Sequence, residues 1–296
     1  MKTLDIKNNF LAIEKEYSGY ENSKIVIQSA PFEKTVSYGK GTGLGPKAIL
    51  EASHYVEFYD EEFDRELCFE KGIAALKPMN LNKLSPEKAL EKIYDSTKAL
   101  LDDDKFVVTL GGEHTISSAP AKAYFEKFKD LSILQIDAHS DFREEYEGTK
   151  YSHACVMKRI AEFTLRIVQV GIRAQCIDES KFIKENNIKT FYSRGIREGE
   201  YGNDWISSVL RNLSKNVYIT FDVDGFDPSF LPSTGTPEPG GLFWDETISL
   251  IKKVGKKKNI VGFDVVELAP QTNDPSSSFT TAKLVYKMLN CAFINK

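Results

Sequence analysis

Short apolar runs with no alternation of polar and apolar residues recur along this chain, and segments of helical periodicity separate them. A strand with one wet face alternates, whereas a strand buried on both faces has no reason to. Eight such runs are legible: Lys24–Gln28, Gly72–Leu76, Phe106–Leu110, Leu131–Ile136, Arg166–Val170, Lys189–Tyr192, Val217–Phe221 and Ile260–Val265. Between them the spacing predicts helices over Gly45–Tyr59, Thr115–Phe128, Ser152–Phe163, Asp178–Asn186, Asn203–Leu213, Asp245–Gly255 and Phe279–Phe293. Another opens at Pro86 behind the cap Ser85, with Leu90, Ile93, Tyr94, Thr97 and Leu101 on one face. Strand–helix alternation predicts the α/β class, a three-layer α/β/α arrangement around a mainly parallel sheet of about eight strands. No repeat or low-complexity linker breaks the chain, so residues 1–296 are expected to form one domain, with 1–23 set apart as a candidate N-terminal arm.

Four of the runs end in polar clusters. VVTLGGEHT carries His114; SILQIDAHSD carries Asp137, His139 and Asp141; YITFDVDGFD carries Asp222, Asp224 and Asp227; VGFDVVELAP carries Asp264 and Glu267. In a parallel sheet all four clusters lie at one edge, beyond the carboxyl ends of the strands, where ligands gather. Alternation in an extended segment would put Asp137, His139 and Asp141 on one side, and Asp222 with Asp224 on one side. Buried carboxylates that converge without cations are very costly, and these motifs hold no Lys or Arg. Divalent metal ions answer the problem. Four carboxylates and two imidazoles exceed a single closed zinc site and suit two ions about 3.5–4 Å apart. A donor set rich in oxygen and free of sulfur favours manganese.

Other polar residues have plainer readings. Asp227-Pro228 looks like a helix cap, His54 a packed or capping histidine, Lys252–Lys258 a solvated helix end, and Asp102-Asp103-Asp104 a turn. The four cysteines, Cys68, Cys155, Cys176 and Cys291, form no CxxC pair, which argues against a thiolate metal site and predicts reduced thiols in a cytoplasmic protein. A net charge of −4 with no basic stripe argues against nucleic acid as a partner. The N-terminus lacks the apolar core of a signal peptide, and no apolar run is long enough to predict a membrane span.

The segments GGEHT (Gly111–Thr115), DAHSD (Asp137–Asp141) and FDVDGFDPSFLPSTGTPEPGG (Phe221–Gly241) resemble the ureohydrolase family of arginases and agmatinases. PFEKTVSYGKGTGLGPKAI near the start and DVVELAP near the end extend the resemblance, agmatinase-like, over most of the chain. The resemblance implies an arginase-like fold and two Mn2+ per subunit. One ion would take His114, Asp137, Asp141 and Asp222, the other Asp137, His139, Asp222 and Asp224, with Asp137 and Asp222 bridging. It implies guanidino hydrolysis by a metal-bridging hydroxide, Glu267 as the guanidinium-binding carboxylate, His153 as the proton-transfer histidine, and Thr236 facing the guanidinium or urea end. It also implies a homo-oligomer, trimer or hexamer. Two positions depart from the family pattern: Glu113 stands where relatives usually carry Asp, and Ala154 where Gly commonly follows the histidine.

The loop after the second metal cluster, FREEYEGTKY (Phe142–Tyr151), lacks the Asn- and Ser-rich pattern with which arginases hold an α-carboxylate and α-amine. Glu144, Glu145 and Glu147 would repel a carboxylate and attract an ammonium, unless they form a solvated face. The expected reaction is therefore hydrolysis of agmatine to putrescine and urea. Another guanidino hydrolase is the alternative (guanidinobutyrase, guanidinopropionase, formimidoylglutamase or arginase), for which Arg143 or Lys150 would face a carboxylate. A non-enzymatic regulatory homologue would be expected to have lost a ligand or the glutamate, and all are present.

Overall fold

The computed structural model describes residues 1–296. Eight strands form one sheet: β1 (Ile25–Ala30), β2 (Ile73–Ala75), β3 (Phe106–Gly111), β4 (Leu131–Ile136), β5 (Ile167–Ile172), β6 (Lys189–Tyr192), β7 (Asn216–Asp222) and β8 (Asn259–Val266). Their order is β2-β1-β3-β8-β7-β4-β5-β6, and every neighbouring pair is parallel. Helices cover both faces, as the unpatterned apolar runs require. Ile25 and Ile27, Val108 and Leu110, and Leu134 and Ile136 enter the larger core on one side. Val26, Val107 and Ile133 enter a second core on the other. These three pairs of strand residues and their neighbours show odd and even positions buried alike in β1, β3 and β4, which removes the polar alternation there.

Expected helices recur with shifted ends. Ser85 accepts a hydrogen bond from the Lys88 amide and Pro86 opens the helix Pro86–Asp102. The final helix runs Pro275–Ala292, starting before Phe279, because Asp274 caps it and Pro275 suits its first turn. The helix after Gly45-Pro46 ends at Ser53, not Tyr59. The stretch Ser152–Phe163 divides into a 3-10 turn, His153–Cys155, and a short helix, Val156–Ala161. Residues 1–23 pack against the body, with Phe10, Leu11 and Ile13 buried in the larger core. All four cysteines are free thiols, three of them buried. No helix is long and apolar enough to cross a membrane.

Gly262 in β8 is set by a close approach. A Cβ there would lie 2.0 Å from the Tyr124 hydroxyl, which donates to the Val107 carbonyl at 3.1 Å from a fully buried ring. Gly262→Ala should therefore destabilise the fold by about 2–4 kcal/mol, since neither the strand nor the ring can move freely. A urea titration checks this, and a midpoint unchanged from the parent would refute it.

Candidate active site at the carboxyl edge of the sheet

The four strands that end in polar clusters, β3, β8, β7 and β4, are consecutive in the middle of the sheet. Register aligns their ends: Leu110 pairs with Val265, Phe221 with Val265, and Ile136 with Phe221. Residues more than a hundred positions apart therefore meet at one edge. His114, Asp137, Asp141, Asp222, Asp224 and Glu267 are all buried there.

His114 Nδ1 lies 3.1 Å from Asp137 Oδ2, 3.1 Å from Asp141 Oδ2 and 3.4 Å from Asp222 Oδ2. His139 Nδ1 lies 2.9 Å from Asp224 Oδ2 and 3.7 Å from Asp137 Oδ1. Two groups of donor atoms result, His114 with Asp137 and Asp141, and His139 with Asp137 and Asp224, each within 4.8 Å and sharing Asp137. One expectation is corrected in detail. Asp141 does not continue an extended alternation, because its φ is +56°. That left-handed turn brings its carboxylate to His114, while His139 faces Asp224.

The support beneath His114 fixes its ring. Thr220 Oγ1 donates to Asp264 Oδ1 at 2.8 Å, so its lone pair accepts from His114 Nε2, also at 2.8 Å. Ser117 and Tyr218 donate to the same Asp264 carboxylate at 2.8 and 2.7 Å. Asp264, within the fourth polar cluster, thus sits below the ligand set and orients it. With Nε2 donating, His114 Nδ1 presents its lone pair to three carboxylates, and this buried atom has no hydrogen-bond partner. A divalent cation reconciles that arrangement, and the donor set fits one.

Without ions the site is electrostatically strained. Burial alone would lower the His114 imidazole, but Asp137, Asp141 and Asp222 outweigh it and raise its pKa well above the ordinary value. His139 is pushed up to about 11, burial being overcome by Asp224 and Asp137. Burial, then Asp224 and Asp141, lifts Asp137 to about 7. Burial likewise raises Asp222 and Glu267 well above the carboxylate range. Asp224 moves the opposite way, because its contact with His139 outweighs burial.

Glu267 reaches across from β8, and its Oε1 accepts the His114 amide at 2.5 Å. Its φ of +66° is also left-handed, a strained state for a non-glycine residue that turns the carboxylate over the ligand set. Thr236 Oγ1 donates to Asp224 Oδ2 at 3.3 Å. His153 stands at the rim, its Nε2 3.3 Å from Ser37 Oγ and its Nδ1 3.4 Å from Thr35 Oγ1.

Glu113, next to the candidate ligand His114, bonds the Lys34–Thr35 segment. Its Oε2 accepts the Lys34 and Thr35 amides at 2.8 and 2.7 Å, and its Oε1 accepts Thr35 Oγ1 at 3.0 Å. Thr35 Oγ1 in turn accepts the His153 amide at 3.1 Å. Glu113 therefore braces the segment that seats His153. Glu113→Gln should lower kcat about tenfold while leaving metal content intact, from loss of charge-assisted hydrogen bonds. Parallel steady-state kinetics and metal analysis check this. Loss of metal instead would tie Glu113 to His114.

The acidic loop takes the second of its two expected readings, a solvated face. Glu144 pairs with Arg159 at 2.9 Å and Lys158 at 3.3 Å, and Glu147 occupies a tight turn with φ of +50°. Glu145 is exposed, so the loop is mostly a solvated face. Arg143 packs on the Tyr146 ring at 5.0 Å. Asp227 is structural as expected, but no helix follows it; its Oδ2 accepts the Gly240 and Gly241 amides at 2.7 and 2.9 Å. His54 bonds the Asn9 carbonyl, Lys252 and Lys253 pair with Glu62 and Asp204, and Asp103 and Asp104 lie in a turn.

Arg173, just beyond β5, escaped the sequence reading. Its guanidinium donates to the carbonyls of Asp224 at 2.7 Å, Phe226 at 3.1 Å and Glu238 at 2.8 Å, tying the β7 end to the following loop. The signal available was a charged residue closing a buried strand. Beside the His/Asp cluster lies a cleft of about 250 Å³ lined by His139, Asp141, Arg143, Gln175, Glu179 and Glu238.

Comparison with known proteins agrees with this architecture. The model of the arginase family matches residues 23–291. An N(1)-aminopropylagmatine ureohydrolase of Synechocystis sp. is 38% identical over 92% of this chain and 90% of its own length. An agmatinase of Bacillus cereus is 34% identical over 93% of this chain and 94% of its own. The crystal structure of the agmatine ureohydrolase of Thermoplasma volcanium superposes with a TM-score of 0.86 at 31% identity, covering 99% of this chain and 95% of that one.

Proposed function

The chain belongs to the arginase family and is a hydrolase of guanidino compounds, and from that premise we propose that it hydrolyses agmatine to putrescine and urea, using two manganese ions. The observation that carries this reading is the meeting of His114, Asp137, His139, Asp141, Asp222 and Asp224 beneath the carboxylate of Glu267.

His114, Asp137, Asp141 and Asp222 would hold one ion, and Asp137, His139, Asp222 and Asp224 the other. When bound, such ions balance the carboxylates and make water a competent nucleophile near neutral pH. Glu267 keeps one oxygen on the His114 amide and offers the other to the guanidinium. A planar guanidinium held this way presents its carbon to attack in a fixed orientation. The Thr236 hydroxyl donates to Asp224, so its lone pairs are free for an N–H of guanidinium or urea. Attack by water oxygen forms the new C–O bond, and the C–N bond to the chain nitrogen then breaks. That nitrogen leaves as an amine with a proton from His153, a half-buried imidazole whose Nε2 lies 3.3 Å from the exposed Ser37 hydroxyl.

The Synechocystis relative favours a second substrate, N(1)-aminopropylagmatine, with the same guanidinium chemistry and a longer amine as product. Urea release by manganese-loaded protein tests both against arginine and guanidinobutyrate, with bound metal counted by mass spectrometry. Preference for either aminated substrate with two ions per subunit supports the reading. Preference for arginine or guanidinobutyrate overturns it. The same reading carries a cytoplasmic homo-oligomer, trimer or hexamer, whose mass sedimentation would give.

A further inference from the structure

We propose that Glu238 takes the distal ammonium of the substrate and so sets selectivity for an aminated tail; the inference rests on the reaction proposed above. The residue stands in Thr-Pro-Glu-Pro, two positions beyond Thr236. Its backbone is fixed twice over. Pro237 and Pro239 restrict the torsions on either side, and its carbonyl accepts from Arg173 Nε at 3.2 Å and Nη2 at 2.8 Å. Its half-buried side chain lines the cleft beside His139 and Asp141, and its carboxylate has neither a hydrogen-bond partner nor an ion-pair partner.

The other charged groups of that cleft are engaged. Asp141 faces His114. Glu179 accepts the Phe142 amide at 2.9 Å and the Cys176 amide at 2.6 Å. Arg143 lies over the Tyr146 ring. Arg173 is close enough to feel the Glu238 charge but spends its guanidinium on backbone carbonyls, so the Glu238 carboxylate makes no hydrogen bond or ion pair of its own. Two residues separate Glu238 from Thr236 and so reach at most about 7 Å, and four methylene groups put an ammonium nitrogen about that far from a guanidinium carbon. A carboxylate already held in place loses little freedom on pairing with an alkylammonium, and the charge-assisted bond is a strong one.

The test compares agmatine with n-pentylguanidine, in which a methyl replaces the ammonium, on manganese-loaded protein. Glu238→Gln should reduce the ratio of kcat/KM for agmatine to that for n-pentylguanidine about tenfold or more, chiefly through KM for agmatine, and Glu238→Asp should restore part of it. Competitive inhibition gives a second readout: the parent should bind 1,4-diaminobutane more tightly than n-butylamine, and Glu238→Gln should erase the difference. An unchanged ratio, or an equal loss on both substrates, would overturn the role of Glu238 alone. Parent protein that prefers guanidinobutyrate would overturn the reaction proposed above before any variant is made.

Discussion

Asp137→Asn should leave the protein unable to retain two ions and lower kcat/KM for agmatine about a thousandfold. Asp137 is the carboxylate common to both donor groups, with Oδ2 at His114 and Oδ1 on the His139 side. It is also held in place, since Oδ1 accepts the His139 amide at 2.6 Å and Oδ2 accepts Gln135 Nε2 at 2.7 Å. An amide keeps the shape but loses the charge, and metal-assisted stabilisation of several kcal/mol corresponds to that loss of rate. Metal per subunit and urea release, measured on the same preparation, check it. A variant with two ions and more than a tenth of the parental rate would refute the shared-ligand role. The same site predicts proton-linked metal binding. His114, His139 and Asp137 are all raised, Asp137 to about 7, so protons compete with metal for these atoms in the ion-free protein. Affinity should therefore fall as pH falls, and titration calorimetry in buffers of different ionisation enthalpy should register proton release.

Glu267→Gln should cost about a hundredfold to a thousandfold in kcat/KM with both ions retained. The glutamate touches the ligand set only through the His114 amide, so its side chain is available for substrate. Replacing the carboxylate with an amide weakens the charge-assisted hydrogen bond that its second oxygen offers the guanidinium, about 1.5–3 kcal/mol, and removes the attraction between opposite charges in a buried site. The diagnostic feature is the split between chemistry and metal. Parental metal content and thermal midpoint with a large kinetic defect assign Glu267 to substrate; loss of metal in parallel would assign it to the ligand set.

Much of this site could be read before any coordinates, for a physical reason. Strands buried on two faces announce themselves by unbroken apolar runs, and a parallel sheet forces every polar terminus to one edge. His114, Asp137 and Asp222 are therefore visible from composition at strand ends. The order of the strands is not, because nothing in VVTLG or FDVVE specifies its neighbour. Asp141 and Glu267 show a second limit. Their side chains arrive through left-handed backbone turns that a non-glycine residue adopts only under tertiary constraint. Glu144 and Glu113 show a third: a carboxylate's spare charge is consumed by whichever partner the fold brings, Arg159 for one and the Thr35 segment for the other. Short helices such as Leu67–Lys71 and Ser193–Glu198 span too few turns for periodicity to register.

The sheet order has a consequence for how the molecule assembles. β7 and β8 insert between β3 and β4, so the last two strands of the chain occupy its centre. A partly synthesised chain that has reached β6 has β3 and β4, with His114 and Asp137 beyond them, but nothing to join them. Contacts this distant in sequence are slow to form, because loop closure precedes their reward. The His/Asp cluster is thus completed late in folding, and an ion held jointly by residues beyond β3, β4 and β7 would act as a latch, lowering the free energy of the completed sheet without stabilising any earlier stage.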